Sequence, residues 1–225
     1  MSEPQAATAS SHHVSFQYEL IRKGIHMMSL SIPVAYYFLS KELMLALIIP
    51  LALVFVVADV LRSYHQPTFK LYNKVFGRML RPHEKTLKKK TLNGASWVLI
   101  SAAVCVLVFP KLITITAFTI LIISDTTAAL VGRRFGTKKF NDKTLAGSSA
   151  FVISAAIVIL FTPKVQHLFV EYLVAIVAAV VGALAEVFSF DIIDDNFAIP
   201  IAIGAALWLM YLVFLPELNI YLLDG

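Results

Sequence analysis

Charge is scarce in this chain. Of its 225 residues only 15% are Asp, Glu, Lys or Arg, while 59% are hydrophobic and the mean hydropathy is +0.79. A soluble domain is about a quarter charged, so too little polar surface exists to cover an aqueous globule, and a secreted or cytosolic domain is excluded. Cysteine is nearly absent. The single Cys105, set in an apolar run, rules out a disulfide scaffold and a cysteine zinc site. No basic segment precedes an apolar core in the first 18 residues, so no cleavable signal peptide is expected. Neither a solenoid-period repeat nor an inverted repeat between the halves is visible.

What the chain does have is seven apolar runs: Gly24–Leu39, Leu43–Leu61, Leu92–Phe109, Leu112–Val131, Leu145–Thr162, Leu168–Phe188 and Phe197–Leu215. Each approaches the roughly 20 residues that carry a helix across hydrocarbon. Helices are forced there because backbone amides in lipid must bond within their own segment. The expected fold is all-α, a polytopic membrane helix bundle of about seven transmembrane helices. It forms one integral membrane domain over residues 19–225 behind a polar, disordered tail, Met1–Tyr18. Pro110, Pro163 and Pro216 fall at run ends; Pro33 and Pro50 lie inside runs, where a proline kinks a helix.

Three connections are short (Ser40–Glu42, Pro110–Lys111, Pro163–His167). Three are long and polar (Arg62–Thr91, Gly132–Thr144, Ser189–Asn196), and alternation puts the long ones on one face with the N-terminus. Sixteen of the 19 Lys and Arg residues lie on that face, against Lys41, Lys111 and Lys164 opposite. The positive-inside rule therefore places the N-terminus and the long connections in the cytoplasm and the C-terminus on the other side. The net charge of +5 reads as topology, with no nucleic acid implied. In the second connection Phe69, Tyr72, Val75, Phe76, Met79 and Leu80 recur at helical spacing, with Lys70, Lys74 and Arg78 on another face. This spacing predicts a short helix between Pro67 and Pro82, either lying in the membrane interface or packed on the bundle.

Three carboxylates stand inside the runs: Asp59, Asp125 and Glu186. A carboxylate in hydrocarbon is costly and implies a cavity, a cation or a partner. All three lie toward the cytoplasmic ends of their helices, which points to one pocket. Carboxylates gathered at one depth repel unless a cation joins them, and Mg²⁺, bound through one or two carboxylates and nucleotide phosphates, is the natural candidate. Asp59 also reads as an i, i+3 pair with Arg62, and His26 as a substrate contact or an interfacial aromatic. After Asp125-Thr-Thr-Ala128 come Gly132-Arg133-Arg134-Phe135-Gly136 and Lys143-Thr144-Leu145-Ala146-Gly147-Ser148. Glycines admit phosphate to backbone amides, Lys and Arg neutralise it, and hydroxyls at a helix start add donors beside the positive dipole. These residues outline a nucleotide triphosphate–metal site. It is not a Walker A loop, since no glycine directly precedes Lys143. Gly132 and Gly136 also fit a GxxxG packing pattern, against which the two intervening arginines argue.

In these residues the chain resembles the family of CTP-dependent lipid-alcohol kinases, namely dolichol kinase, phytol kinase and the CTP-type diacylglycerol kinase. The likeness runs from Arg22 to about Pro200. It comprises Arg22-Lys23-x-x-His26, Asp59-x-x-Arg62, Arg81-x-x-Glu84 leading to Gly94-Ala95-Ser96, the block from Asp125 to Ser148, and Glu186 followed by Asp195-Asn196-x-x-x-Pro200. The resemblance implies transfer of the γ-phosphate of CTP, with Mg²⁺, to a membrane lipid alcohol at the cytoplasmic face. On that reading Asp125 and Glu186 hold the metal, and Lys143, Arg133 and Arg134 grip phosphates. Gly132, Gly136, Thr144, Gly147 and Ser148 line the nucleotide, and Asp195 or Asp125 orients the lipid hydroxyl. Arg22, Lys23 and His26 lie near the headgroup or the transferred phosphate, and Asp59, Arg62, Arg81, Glu84 and Asn196 toward the substrate and its headgroup. Two positions depart from the family pattern: Ala146 stands where Glu is frequent, and Thr126 where Ala is common. Two other functions compete. A phosphatidate cytidylyltransferase would carry a His-Gly-Gly-x-x-Asp-Arg-x-Asp signature, absent here. A small ion-coupled transporter would explain the carboxylates but not the basic glycine block.

Overall fold

Apolar runs that cannot leave backbone groups unpaired become helices, and they do so throughout the computed structural model, which describes residues 16–76, 92–140, 143–189 and 194–224. The order is α1 (Phe16–Met28), α2 (Ser31–Phe38), α3 (Lys41–Tyr64), α4 (Gln66–Phe76), α5 (Gly94–Val108), α6 (Lys111–Phe135), α7 (Leu145–Phe161), α8 (Phe169–Phe188) and α9 (Asp195–Phe214). Two short strands, β1 (Lys139–Phe140) and β2 (Lys143–Thr144), form an antiparallel hairpin between α6 and α7. The architecture is an all-α membrane helix bundle. Among the described residues α3, α6, α8 and α9 have the length and hydropathy to cross a bilayer, and α5 and α7 are shorter apolar helices.

Polar residues at the run boundaries start the helices. Ser40 accepts the Leu43 amide at α3, Asn93 accepts the Ser96 amide at α5, Thr144 accepts the Gly147 amide at α7, and Asp194 accepts the Asn196 amide at α9. Each side chain takes over a donor that the first helical turn leaves open.

The structure corrects the sequence reading in five places. The first run is not one helix: it breaks at Ser29–Leu30 into α1 and α2, where the chain tightens into i, i+3 bonds (Ser29 N to His26 O, 3.0 Å; Ile32 N to Ser29 O, 2.9 Å). Pro33 stands four residues past Ser29, and its ring would meet the Ser29 carbonyl in a straight helix. Pro50, by contrast, leaves α3 uninterrupted. The tail expected over Met1–Tyr18 is cut short, because α1 already begins at Phe16; residues 1–15 lie outside the described set. The expected interfacial helix is present as α4, Gln66–Phe76, with Lys70 and Lys74 exposed, and its continuation past Phe76 lies outside the described residues. The fourth run continues as helix through Gly132, Arg133, Arg134 and Phe135, so the expected glycine-rich loop is a helix end capped at Gly136. Its arginines sit where the negative pole of the helix dipole favours cations.

The fifth concerns Glu171, a further intramembrane carboxylate that the sequence reading passed over. It is fully buried in the first turn of α8. Its oxygens accept the amides of Val165, Gln166 and Leu168 and the Tyr211 hydroxyl, so it serves as the staple of the α7–α8 turn.

α6 is the axis of the bundle. In its most apolar stretch 78% of residues are buried, against 22% for α3. It packs on α7, α9, α2, α1 and α5, and its Ile113, Ile120, Leu121 and Ile122 are sealed among Phe151, Ile159, Ile199 and Ile203. The outward sides of α3, α7 and α8 expose Val54, Ile153, Leu160, Phe169 and Leu184. This is apolar surface that hydrocarbon, not water, solvates.

Candidate functional site

The axial helix brings Asp125 to the end of the bundle where α1 crosses it. Lys23 and His26, three residues apart and so on one face of α1, both turn to this carboxylate. Lys23 Nζ lies 2.5 Å from Asp125 Oδ2 and 3.3 Å from its carbonyl oxygen, and His26 Nε2 lies 3.5 Å from the same Oδ2. Lys23 and Asp125 are 4% and 7% exposed. Charges so deeply placed persist only when paired. The family resemblance, which put Lys23 and His26 near the headgroup or the transferred phosphate and Asp125 on the metal, did not join them.

A second cluster stands beside the first. Lys143, on β2 of the hairpin, bridges Glu186 at the end of α8 (Nζ to Oε1, 3.0 Å) and Asp195 at the start of α9 (Nζ to Oδ2, 2.7 Å). Burial opposes the charge of Lys143, but Asp195 and Glu186 outweigh it, with Asp125 adding, and hold its pKa above the usual lysine range. The Ser189 hydroxyl contacts the other Asp195 oxygen. Thus α1, α6, β2, α8 and α9 each deliver a charged group to the same end of the bundle.

The glycines of the Asp125–Ser148 block are spacers for close packing. A Cβ on Gly132 would fall 2.7 Å from Thr144 Oγ1 and 3.2 Å from Gly147 Cα, and one on Gly147 would fall 2.9 Å from the Ala128 carbonyl. The amides of Gly136 and Gly147 already donate, to Gly132 O and Thr144 Oγ1. They are therefore not the open phosphate cradle expected from sequence, and the small-residue packing reading is the one that applies. Arg133 is exposed and reaches Glu19 (Nη1 to Oε2, 3.4 Å), which also pairs with Arg22. Arg134 is exposed and packs over the Phe135 ring.

Asp59 and Arg62 belong to a separate knot. The Asp59 carboxylate, 1% exposed, accepts the Asn93 amide at 2.8 Å, Asn93 Nδ2 at 3.0 Å and Ser96 Oγ at 2.7 Å, and Arg62 lies 3.6 Å away. It fixes the start of α5 to α3. Gly94 then abuts Asn196, whose carbonyl accepts Ser101 Oγ and whose side chain bonds Asp194. The knot thereby sets the position of α9 and of Asp195. Arg81 and Glu84 lie outside the described residues.

Among the described residues no three His, Cys, Asp or Glu side chains are grouped as a metal cage. The expected metal pair is divided, with Asp125 committed to Lys23 and Glu186 to Lys143. Yet Glu186 Oε2 is buried without a hydrogen-bond partner in the structure. Mg²⁺ commonly takes only one or two carboxylates and fills its shell with water and phosphate oxygens. That orphaned oxygen fits such a ligand.

The sequence reading missed Glu19 and Ser189. Glu19 carried a signal, being the one acid beside the Arg22-Lys23 pair. Ser189 carried none. Chemically the end of the bundle offers two ammonium groups and peripheral arginines to a polyanion, and three carboxylates to a cation or a hydroxyl proton.

The chain is 30% identical over 192 residues to an uncharacterised protein of Rickettsia prowazekii, covering 83% of this chain and 92% of that one. It is 31% identical to CTP-dependent diacylglycerol kinase 1 of Schizosaccharomyces pombe, covering 68% of this chain and 74% of the relative. Similarity to CTP-dependent diacylglycerol kinase 1 of Saccharomyces cerevisiae is 29%, over 58% of this chain and about half (51%) of the relative. No family model matches the chain. No solved structure matches it.

Proposed function

Since the chain belongs to the family of CTP-dependent lipid kinases, we propose that it transfers the γ-phosphate of CTP to the hydroxyl of a membrane lipid alcohol, with diacylglycerol as the first candidate. The observation that carries this reading is the convergence of Lys23, His26 and Asp125 with Lys143, Glu186 and Asp195 at one end of the bundle. Phosphoryl transfer asks a protein for positioning and charge neutralisation more than for covalent chemistry. Lys143 and Lys23 neutralise the phosphate oxygens, and Arg133 and Arg134 draw the nucleotide in from the exposed rim. The lipid oxygen bonds to the γ-phosphorus as the bond to the β–γ bridging oxygen breaks. The hydroxyl proton passes to a carboxylate, Asp195 or Asp125, and CDP leaves. Glu186, through Oε2, would hold Mg²⁺, which when bound supplies further positive charge against the triphosphate, while Asp125 stays paired with Lys23. Ala146 offers no carboxylate, so among the described residues acid and base work on this reading falls to Asp125, Glu186 and Asp195.

The site opens to the cytoplasm on this proposal, with the N-terminus on the same side and the C-terminus opposite, as the basic asymmetry implies. Purified protein in mixed micelles, given Mg²⁺ and diacylglycerol, dolichol, phytol or phosphatidate, tests the function with CTP labelled at the α- or the γ-phosphate. Label from the γ-phosphate on the lipid is the expected result. Label from the α-phosphate on the lipid would mean cytidylyl transfer. Label in neither, with substrate flux in proteoliposomes lacking nucleotide, would mean transport.

A further inference from the structure

Ser189 closes the C-terminal end of α8, and its hydroxyl has two acceptors. One is the Glu186 carbonyl, three residues back and 3.0 Å away; the other is Asp195 Oδ1, in the first turn of α9. A serine hydroxyl carries one hydrogen, so it donates to one of them at a time. The two acceptors differ in kind. The carbonyl is always neutral, whereas Asp195 Oδ1 accepts a charge-assisted bond only while its carboxylate is ionised. Lys143 Nζ holds the other carboxylate oxygen, Oδ2, at 2.7 Å. Asp195 is thus gripped at both oxygens.

The ion pairs decide which carboxylate of the site takes a proton at least cost. Asp125 and Lys23 match charge for charge in a buried place, so a proton on Asp125 would strand the Lys23 ammonium. Lys143 instead faces two carboxylates, Glu186 at 3.0 Å and Asp195 at 2.7 Å. A proton on either one leaves the ammonium paired with the other. Of these two, Asp195 is the one an incoming hydroxyl reaches: its side chain is 20% exposed, against 6% for Glu186. A carboxylate oxygen has two lone-pair sites, so Oδ1 can accept from Ser189 and from a substrate hydroxyl at once.

We infer that Asp195 is the base that takes the proton of the lipid hydroxyl and that Ser189 is its positioning residue, a reading that rests on the kinase assignment above. As the lipid oxygen bonds to the γ-phosphorus, its O–H bond breaks and the proton bonds to Asp195 Oδ1. The bond from the γ-phosphorus to the β–γ bridging oxygen breaks, and its electron pair leaves on CDP. The protonated Oδ1 is a poor acceptor, so Ser189 turns its hydrogen to the Glu186 carbonyl with no covalent bond broken, and Lys143 stays paired with Glu186. When Asp195 gives the proton to water, Ser189 turns back. One hydroxyl therefore serves both protonation states and keeps the Asp195 carboxyl in one orientation through the cycle.

The test uses the full chain in mixed micelles with dioleoylglycerol and CTP labelled at the γ-phosphate, and reads the melting midpoint of each variant beside its kinetics. Asp195→Asn should lower kcat about a hundredfold or more, the scale of general-base catalysis. Ser189→Ala should lower kcat about tenfold, the worth of one hydrogen bond to a charged group, and leave KM for CTP within about twofold. Ser189→Thr keeps the hydroxyl and should recover kcat to within about threefold of wild type. Added to Asp195→Asn, Ser189→Ala should cost less than about a further twofold, because the hydroxyl acts only through that carboxylate. Ser154→Ala removes a hydroxyl that bonds the Ala150 carbonyl within α7 and should change none of these values. Equal losses from Ser189→Ala on both backgrounds, no recovery with threonine, or Asp195→Asn within about tenfold of wild type would each overturn the inference and leave the kinase assignment standing. If Ser189→Ala fails to fold, Ser189→Gly makes the same comparison, since glycine is at home at a helix end. A wild-type protein that labels no lipid overturns the kinase assignment and this inference together.

Discussion

Replacing Asp125 by Asn removes the charge that holds Lys23 inside the bundle. Lys23 Nζ is buried, 2.5 Å from the lost charge, and would keep only the Asp125 carbonyl at 3.3 Å and a neutral amide. Breaking a buried ion pair from one side costs about 3–5 kcal/mol. For a chain of this size, at about 2–4 °C per kcal/mol, the melting midpoint should fall by about 6–20 °C. Removing both charges while keeping volume, with Lys23→Met and Asp125→Leu together, should restore stability to within about 2 kcal/mol of wild type, because an apolar pair of similar size replaces an ion pair with little loss. Phosphate transfer from CTP should be absent in the single and double variants alike. Intrinsic fluorescence melting in detergent reads the first quantity and labelled phosphate on lipid the second. An unshifted midpoint for Asp125→Asn, or a double variant as unstable as the sum of the singles, would refute the pairing argument. An active double variant would refute the site.

Lys143→Gln should lower CTP-dependent transfer about a hundredfold, the scale seen when one electrostatic donor is removed from an active site. The pKa of Lys143 is raised in the folded state, so its contribution to stability is complete below the unfolded lysine value of about 10.4 and fades as pH climbs through the raised value. Melting midpoints of wild type and Lys143→Gln should therefore differ by a constant amount from pH 6 to 9 and converge at strongly alkaline pH. Convergence already near neutrality would contradict the pairing. Gly132→Ala places a methyl 2.7 Å from Thr144 Oγ1 and should cost about 1–3 kcal/mol by overpacking, with activity lost through the displaced Lys143 beside it. Gly24→Ala, whose Cβ would meet nothing within 4 Å, is the control and should melt and act as wild type.

Spans, proline-marked ends and the crowding of polar chemistry at one end were legible because hydrophobicity and helix length are local properties. The hairpin was not, since two residues per strand leave no period to read. The end of α6 was misjudged because glycine and arginine resemble a phosphate loop in sequence, whereas Gly132 is there to let α7 approach and Arg133 to meet the helix dipole. The Lys23–Asp125 contact joins residues 102 apart, and nothing local encodes it. The rule that a carboxylate in a membrane needs a cation could have proposed it, since Lys23 lies at the edge of the first run. Glu171 escaped notice because it opens its helix, where an acid is unremarkable, and only the structure reveals three amides gathered on it.

α6 begins at Lys111, just after Pro110, and the Lys111 amide donates to Asp224 Oδ1 at 2.9 Å, near the C-terminus at the other end of the bundle. Fourteen residues later, at about 1.5 Å and 100° each, the same helix presents Asp125. The azimuth of that carboxylate is thus counted from an origin some 21 Å away. A single inserted or deleted residue between Lys111 and Asp125 would swing it through a quarter-turn and more, away from Lys23, without altering any side chain at the site itself.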